Sequence, residues 1–204
     1  MSPLHRIDPV ARFALLVVVW LPFCFFMWYF LAPTLNWPLA LLTDRIMVTL
    51  FPEVIAEIIQ LGDRLDVVTR LPLPGEMLAR LPEASAGDLV FTVNPLIYSY
   101  GLPLFTALVI AVPGEEETKW RYWLWGLPGL LVAQVWGVCF DLLKTLLFNL
   151  GPEIAQQMAF SPLQMEVVAL GYQLGCLILP PVLPVVIWVV LHREYLAVLV
   201  WEKQ

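Results

Sequence analysis

The chain has 204 residues, of which 60% are hydrophobic and only 14% are charged, and its mean hydropathy is +0.80. Ordinary soluble domains are about 45–50% apolar and about 25% charged, so this composition excludes an ordinary soluble domain and makes lipid part of the solvent. The net charge of −6 argues against a nucleic-acid partner, because phosphate binding needs clustered lysine and arginine.

The first apolar run extends from Phe13 to about Leu35 and follows Arg6 and Arg12. It is too long for the apolar core of a typical signal peptide, and it lacks a small-residue cleavage pattern. We therefore predict an uncleaved membrane span, with residues 1–35 forming a cytoplasmic N-terminus and transmembrane helix 1.

Residues 36–94 are the one long polar region of the sequence, and we predict that they form a small domain outside the cytoplasm. The region begins with an amphipathic stretch from Pro38 to Phe51, which is typical of a helix lying at the membrane interface. In this helix Asp44 and Arg45 are expected to point to water. The predicted apolar face consists of Leu39, Leu42, Ile46 and Leu50.

Strand-like sequence follows the amphipathic stretch. Residues at alternate positions indicate two strands, and Gly62-Asp63 between them predicts a two-residue hairpin turn in which glycine supplies the positive φ. The alternating positions are Ile55, Glu57, Ile59 and Leu61 in the first strand, and Leu65, Val67 and Thr69 in the second.

A third strand is predicted from Leu89 to Val93, with Phe91 and Val93 on one face. A loop from Pro72 to Gly87 precedes it. Because an isolated hairpin is marginally stable, we expect all three strands to pack on the amphipathic helix or on the membrane surface.

Three further apolar runs predict the remaining spans, so residues 95–204 hold transmembrane helices 2 to 4 and a cytoplasmic tail. The runs are Leu96–Val112, Trp123–Leu150 and Val167–Leu191. The predicted fold is therefore an α-helical membrane protein with four transmembrane helices. A small extracytoplasmic α+β insertion, an amphipathic helix plus about three antiparallel strands, lies between helices 1 and 2.

Lysine and arginine near the ends of the runs predict the orientation through the positive-inside rule. They flank the N-terminus, the loop between the second and third runs, and the C-terminus, whereas the loop between the third and fourth runs has none. Both termini of this multi-pass protein are therefore predicted in the cytoplasm, with membrane lipid around the spans, and in a two-membrane bacterium the membrane would be the inner one. The basic residues are Arg6, Arg12, Lys119, Arg121, Arg193 and Lys203.

Asp141 and Lys144 are charged residues inside the third apolar run, where a charge costs roughly 2.5–3.5 kcal/mol on insertion scales. Their spacing lets them face each other on a helix. Together with Gln134, they form a candidate polar membrane site. Two interpretations stay open: a polar element in a substrate path or at a partner helix, and a self-neutralising pair near the outer interface.

The segment from Asn94 to Pro103 joins the last predicted strand to the second apolar run. Two tyrosines, a glycine and two prolines at a membrane boundary suggest a fixed turn with an aromatic anchor. The segment is either a plain interfacial junction or a docking surface for a partner. The candidate interaction residues are Asn94, Pro95, Tyr98, Tyr100, Gly101 and Pro103.

Residues that would carry catalysis or bind a metal are sparse. His5 and His192 are predicted at the cytoplasmic edge, whereas Cys24, Cys139 and Cys176 lie inside apolar runs as small buried hydrophobes. Nucleophilic catalysis needs a base within hydrogen-bond distance of the nucleophile, and zinc sites need closely spaced ligands. We therefore predict no catalytic residue, no cofactor and no metal site.

Gly126-x-x-Gly129 and Gly171-x-x-x-Gly175 are small-residue patterns of the kind that lets membrane helices approach closely. The second pattern is the candidate close-packing face. Packing within the protein and packing on a partner are both compatible with it.

Three features carry a family resemblance: the total length, the aromatic first span around Trp20-Leu-Pro-Phe-Cys-Phe-Phe-Met-Trp28, and the junction from Asn94 to Pro103. On these features the chain resembles the exosortase H-associated membrane protein family of bacteria. Exosortases are membrane transpeptidase-like enzymes that process proteins bearing short C-terminal sorting signals, and they use a cysteine, arginine and histidine constellation. This chain lacks that arrangement, so the resemblance implies an accessory protein with a partner such as an exosortase, and it implies no catalytic residues.

These observations lead to the hypothesis of a non-enzymatic integral membrane accessory protein of an exosortase-type sorting system, acting by protein–protein interaction. The alternative is a small transporter or channel subunit that uses Asp141 and Lys144. Prolines at Pro180, Pro181 and Pro184 favour the alternative, because interrupted helices often mark binding sites. The absence of a clear repeat between the two halves of the sequence argues against it.

Overall fold

A computed structural model describes residues 8–72 and 88–201 of the protein. The predicted loop from Pro72 to Gly87 lies outside the described residues except for Pro72, which ends a strand. The helices are α1 (Pro9–Leu35), α2 (Trp37–Leu50), α3 (Leu96–Ser99), α4 (Gly101–Ala111), α5 (Glu116–Lys144), α6 (Pro152–Met158), α7 (Pro162–Gln173), α8 (Leu179–Leu191) and α9 (Arg193–Trp201). The strands are β1 (Ile55–Leu61), β2 (Arg64–Pro72) and β3 (Asp88–Val93), and π-helical turns extend α5 (Thr145–Asn149) and join α7 to α8 (Leu174–Ile178).

Within the described residues, three helical stretches are long and apolar enough to cross a membrane: Pro9–Leu35, Glu116–Asn149 and Pro162–Leu191. They coincide with the first, third and fourth predicted spans, which confirms a membrane protein. The second predicted span is the shorter apolar stretch Leu96–Ala111. At 1.5 Å per residue it is about 24 Å long, less than the bilayer core of about 30 Å, so its crossing stays a prediction.

The short helix α4 lies at the centre of the bundle and packs against α1, α5 and α8. Its Phe105 side chain is fully buried over Gly126 of α5, where an added Cβ would overlap the aromatic ring. Gly101 makes room for α8, because an added Cβ would lie 2.6 Å from the carbonyl oxygen of Pro180. Glycines therefore set how closely α4 approaches its neighbours.

The three strands form one antiparallel sheet in the order β1-β2-β3, which confirms the predicted sheet. Gly62 has a φ of +63° at the first turn position, as the hairpin prediction requires. Val67 of the central strand pairs with Ile58 on one side and Phe91 on the other. The inward faces of β2 and β3 alternate as predicted, and their buried residues are Leu65, Val67, Thr69, Leu89, Phe91 and Val93.

The alternation predicted for β1 is wrong after its first residue. A β-bulge between Ile55 and Glu57 shifts the register against β2. Because the side-chain period of a strand is two, one inserted residue exchanges the two faces. Ile55 and Ile58 are therefore buried, whereas Ile59 and Leu61 are exposed.

The predicted apolar face of α2 is also wrong, except for Leu39. The buried residues of α2 are Leu39, Ala40, Thr43 and Met47, whereas Leu42, Ile46 and Leu50 are exposed. Asp44 is half-buried, and its carboxylate accepts the backbone N–H of Ile58 at 2.9 Å. The buried residues lie on the face of α2 that packs against the sheet, and the exposed apolar side chains lie on the outside, where lipid can contact them.

One hydrophobic core joins the sheet, α2 and the adjoining ends of the long helices. Its members include Leu39, Met47, Leu65, Val67, Phe91, Leu142, Leu146 and Ile154. A second core, around Phe105, Leu108 and Trp188, lies toward the other end of the bundle. The sheet is therefore packed directly on α5 and its π-helical turn, next to Asp141 and Lys144, while the predicted domain division stays a prediction.

Candidate functional site

Asp141 and Lys144 lie one turn apart at the end of α5, with 3.4 Å between the Lys144 Nζ and an Asp141 carboxylate oxygen. Both side chains are mostly buried, with exposed fractions of 13% for Asp141 and 26% for Lys144. The ammonium group also lies 4.6 Å from the ring centroid of Tyr172 on α7, a cation–π distance. The pair is therefore held between two helices.

Tyr98 brings the junction segment into contact with this pair. Its ring is buried against Gly137 of α5, where an added Cβ would overlap it. The Tyr98 hydroxyl is buried, and the Asp141 carboxylate interacts with it electrostatically. The junction and the charged pair, predicted as separate sites, thus meet in one place.

Two further residues complete the group, which we call the polar cluster: Tyr98, Asp141, Lys144, Tyr172 and Cys176. Tyr172 and Cys176 lie one turn apart, on α7 and the following π-helical turn. Cys176 interacts electrostatically with Tyr172 and with Tyr100 of the junction. One π-helical turn directly follows Lys144 and another contains Cys176, and such turns frequently occur at functional sites.

The other junction residues stabilise the turn or pack against neighbouring helices. The Asn94 carboxamide oxygen accepts the backbone N–H of Leu96 at 3.0 Å and so fixes the start of α3. Pro95 and Pro103 are buried, and Gly101 packs on α8. Tyr100 is half-buried, so Asn94 is the exposed member of the predicted interaction residues.

Gln134 does not belong to the polar cluster. It lies about 10 Å along α5 from Asp141, at 1.5 Å per residue. Its side chain is buried and lines a cleft of about 460 Å³ between the start of α2, α4 and α5. The structure therefore separates Gln134 from the charged pair with which the sequence grouped it.

The Gly171-x-x-x-Gly175 pattern packs within the protein. The Trp136 indole N–H donates to the Gly171 carbonyl oxygen at 3.0 Å. A Cβ at Gly175 would lie 2.8 Å from the Cα of Gly137, so α7 and α5 cross at their glycines. This close crossing lets Tyr98, Asp141 and Tyr172 meet.

At the opposite end of the bundle, His192 is buried between two aromatic rings. Its Nδ1–H donates to the Trp188 carbonyl oxygen at 3.1 Å, and the Tyr122 ring centroid lies 4.9 Å from its own. Burial lowers the pKa of His192, and the hydrogen bond to Trp188 opposes this effect. The imidazole is therefore neutral at pH 7, on the edge of a cavity of about 250 Å³.

Sequence reasoning missed Tyr172, Gly137 and the part played by Cys176. The sequence did contain a signal for this part of the site: Tyr172 is a hydroxyl-bearing residue at membrane depth and directly follows Gly171. Within residues 8–72 and 88–201, no group of three or more histidine, cysteine, aspartate or glutamate residues is placed to hold a metal ion. The polar cluster offers one acid–base pair, two hydroxyl groups and a thiol.

Comparison with known proteins gives one match. The model of a protein family described as "Exosortase H-associated membrane protein" matches residues 7–195, which include all three candidate spans and the sheet. No curated protein and no solved structure matches the chain. Because the match covers most of the chain and agrees with the resemblance found from the sequence, the chain belongs to the exosortase H-associated membrane protein family.

Proposed function

We propose that the protein is a non-enzymatic membrane accessory protein of a bacterial envelope protein-sorting system, and that it acts by binding a membrane-protein partner such as an exosortase. The family match over residues 7–195 carries this proposal, because the family's name associates it with an exosortase.

The proposed placement is in the inner membrane, with four spans and both termini in the cytoplasm. Phe13 stacks on Trp188 at 5.1 Å, and Tyr122 lies 4.9 Å from His192, so the starts of α1 and α5 lie beside the end of α8. The basic residues of these ends are Arg12, Lys119, Arg121 and Arg193. Their position at one end of the bundle supports the orientation expected from the positive-inside rule.

The Cys176 thiol of the polar cluster is far from the His192 imidazole, which supports a non-enzymatic role. Cys176 and His192 lie about 24 Å apart along one helical stretch, at 1.5 Å per residue. A cysteine nucleophile and its histidine base must be within hydrogen-bond distance. The Nδ1 of His192 is already bonded to the Trp188 carbonyl oxygen.

The outward face of the sheet is the proposed contact surface for the partner. It exposes apolar side chains beside charged ones, a mixture typical of transient protein interfaces. Its residues include Glu57, Ile59, Leu61, Arg70 and Val90. Tyr98 is less suited to direct contact, since its ring is buried against Gly137.

Purification of the tagged protein from native membranes tests the proposal. We expect the exosortase of the same cell to co-purify, and a photo-reactive residue at Val90 to crosslink to it. Glu117, an exposed residue at the opposite end of the bundle, serves as the control position. Unchanged processing of sorted proteins in a strain that lacks this protein would contradict the proposal.

A small transporter or channel subunit is the second candidate function. The mostly buried Asp141–Lys144 pair, with its two neighbouring π-helical turns, favours it. Flux of small ions or solutes into liposomes containing the purified protein would be measured for the wild type and for Asp141→Asn. This candidate requires the wild-type protein to conduct and the variant to lose conduction.

A further inference from the structure

A groove runs along the bundle between α1 and α5, and α4 forms its floor. Both α1 and α5 pack on α4. Two clefts of about 460 and 540 Å³ share Trp123 as a wall and together make up the groove. Its lining includes Trp20, Thr34, Ile110, Glu116, Leu127 and Gln134.

Gln134 indicates which kind of molecule binds in the groove. It is only 7% exposed, and it places a polar amide in the mostly apolar lining of the groove. An unpaired amide in hydrocarbon is costly, and glutamine side chains associate membrane helices by bonding across them. A lipid acyl chain has no group that could pair with this amide, whereas a helix bearing a polar side chain does.

The length of the groove fits a membrane span. From Glu116 to Gln134 it measures about 27 Å at 1.5 Å per residue, close to the bilayer core of about 30 Å. The Glu116 carboxylate lies at one end and is 77% exposed, although Lys119 pairs with it at 2.8 Å. Exposed Glu115 and Glu117 flank it, so this end suits basic residues of an incoming helix.

We propose that the groove binds one transmembrane helix of a partner protein, which carries a hydrogen-bonding side chain at the depth of Gln134 and basic residues near Glu116. The proposal rests on the accessory function above and names the class of partner segment. The helix enters sideways from the lipid, since the groove lies open between α1 and α5.

A photo-reactive residue at Leu124 tests the groove directly, because Leu124 is 59% exposed and lines it. Val190 on α8 is the matched control, since it is 65% exposed and lies at a similar depth through the contact of Tyr122 with His192. Crosslinking in native membranes, with mass spectrometry of the adducts, should map Leu124 but not Val190 to a partner's transmembrane helix.

Gln134→Leu provides a second readout. We expect it to lower the crosslinking yield from Leu124 by about three- to tenfold, the range for one polar contact between membrane helices. Gln157→Leu, at an exposed position on α6, should leave the yield unchanged. Equal yields in both variants would overturn the role of the amide.

Adducts with lipid alone, adducts with a second copy of this chain, or equal capture from Val190 would each overturn the groove proposal. If co-purification with the exosortase persists while Leu124 captures no partner helix, the groove proposal fails and the accessory function stands. If deletion leaves sorting unchanged, the accessory function itself fails.

Discussion

At the residue scale, the polar cluster depends on the balance between one carboxylate and one ammonium group. Asp141→Asn would leave Lys144 charged without its counter-ion, and we expect the free energy of unfolding to fall by about 1–3 kcal/mol. Asp141→Asn combined with Lys144→Met removes both charges and should recover most of this loss. Unfolding in detergent micelles, arranged as a double-mutant cycle, measures the coupling, and additive losses would contradict it.

Gly137 is the residue that admits the Tyr98 ring between α5 and α7. Gly137→Ala would place a methyl group against the buried Tyr98 ring, and we expect a loss of about 1–3 kcal/mol in unfolding free energy. Gly129→Ala is the matched control on the same helix, because there a flexible Ile187 methyl can move away. Thermal unfolding in detergent compares them, and equal effects would show that Tyr98 is loosely held.

His192 makes the stability of its end of the bundle depend on pH. Burial holds its pKa below the ordinary value of 6.5, so the unfolded chain binds the proton more tightly than the folded one. This contribution to stability is complete above pH 6.5 and is lost as the pH falls toward the lowered pKa. The groups facing it are Glu115, Lys119, Tyr122, Glu194 and Tyr195.

We therefore expect the melting temperature in detergent to fall as the pH drops below 6.5, and His192→Gln to flatten this dependence. The carboxylates that titrate at lower pH are common to both proteins, so the difference between the two pH profiles isolates the histidine. Parallel profiles would mean that the imidazole is freely protonated in the folded protein.

At the element scale, α2 is attached to the sheet through a half-buried hydrogen bond. Asp44→Ala removes the acceptor of the Ile58 N–H, and we expect a loss of about 1–2 kcal/mol in unfolding free energy. Arg45→Ala, on the exposed side of the same turn, should have a negligible effect. Chemical denaturation in detergent measures both, and similar values would show that α2 is not fixed by Asp44.

The elements themselves were largely predictable, but the inward faces of β1 and α2 were not. Apolar runs located the three candidate spans, and Gly62 located the hairpin, because both signals are local. The bulge after Ile55 leaves no local signal, since the inserted residue is compensated only by pairing with β2. In α2, hydrophobicity alone did not predict the buried face, because Leu42 and Ile46 can contact lipid as well as protein.

At the scale of the whole molecule, the sequence identified Tyr98, Asp141 and Lys144 of the polar cluster, but it did not predict that they are in contact. Tyr98, Asp141 and Tyr172 are far apart in the chain and meet because Gly137 and Gly175 let two helices cross closely. Such a crossing depends on the packing of the whole bundle. Gln134 lies apart from the pair because it is about 10 Å farther along α5, where it lines the groove.

The shared core also decides whether the insertion can fold alone. The inward side chains of the sheet, among them Val67 and Phe91, are buried together with Leu142 and Leu146 of the α5 stretch. Without those helical residues the apolar face of a three-stranded sheet is open to water, and small units of this size rarely bury enough area to be stable.

We therefore expect a peptide of residues 36–94 to lack cooperative thermal unfolding and dispersed amide resonances in aqueous buffer. The full chain in detergent should show slow amide exchange at Val67 and Val93. Within the full chain, Leu146→Ala should accelerate exchange at these strand amides, whereas Val132→Ala, at a residue 70% exposed on the same helix, should not. A peptide that folds by itself would make the insertion an independent domain, and its core with α5 would then be a docking contact between two folded parts.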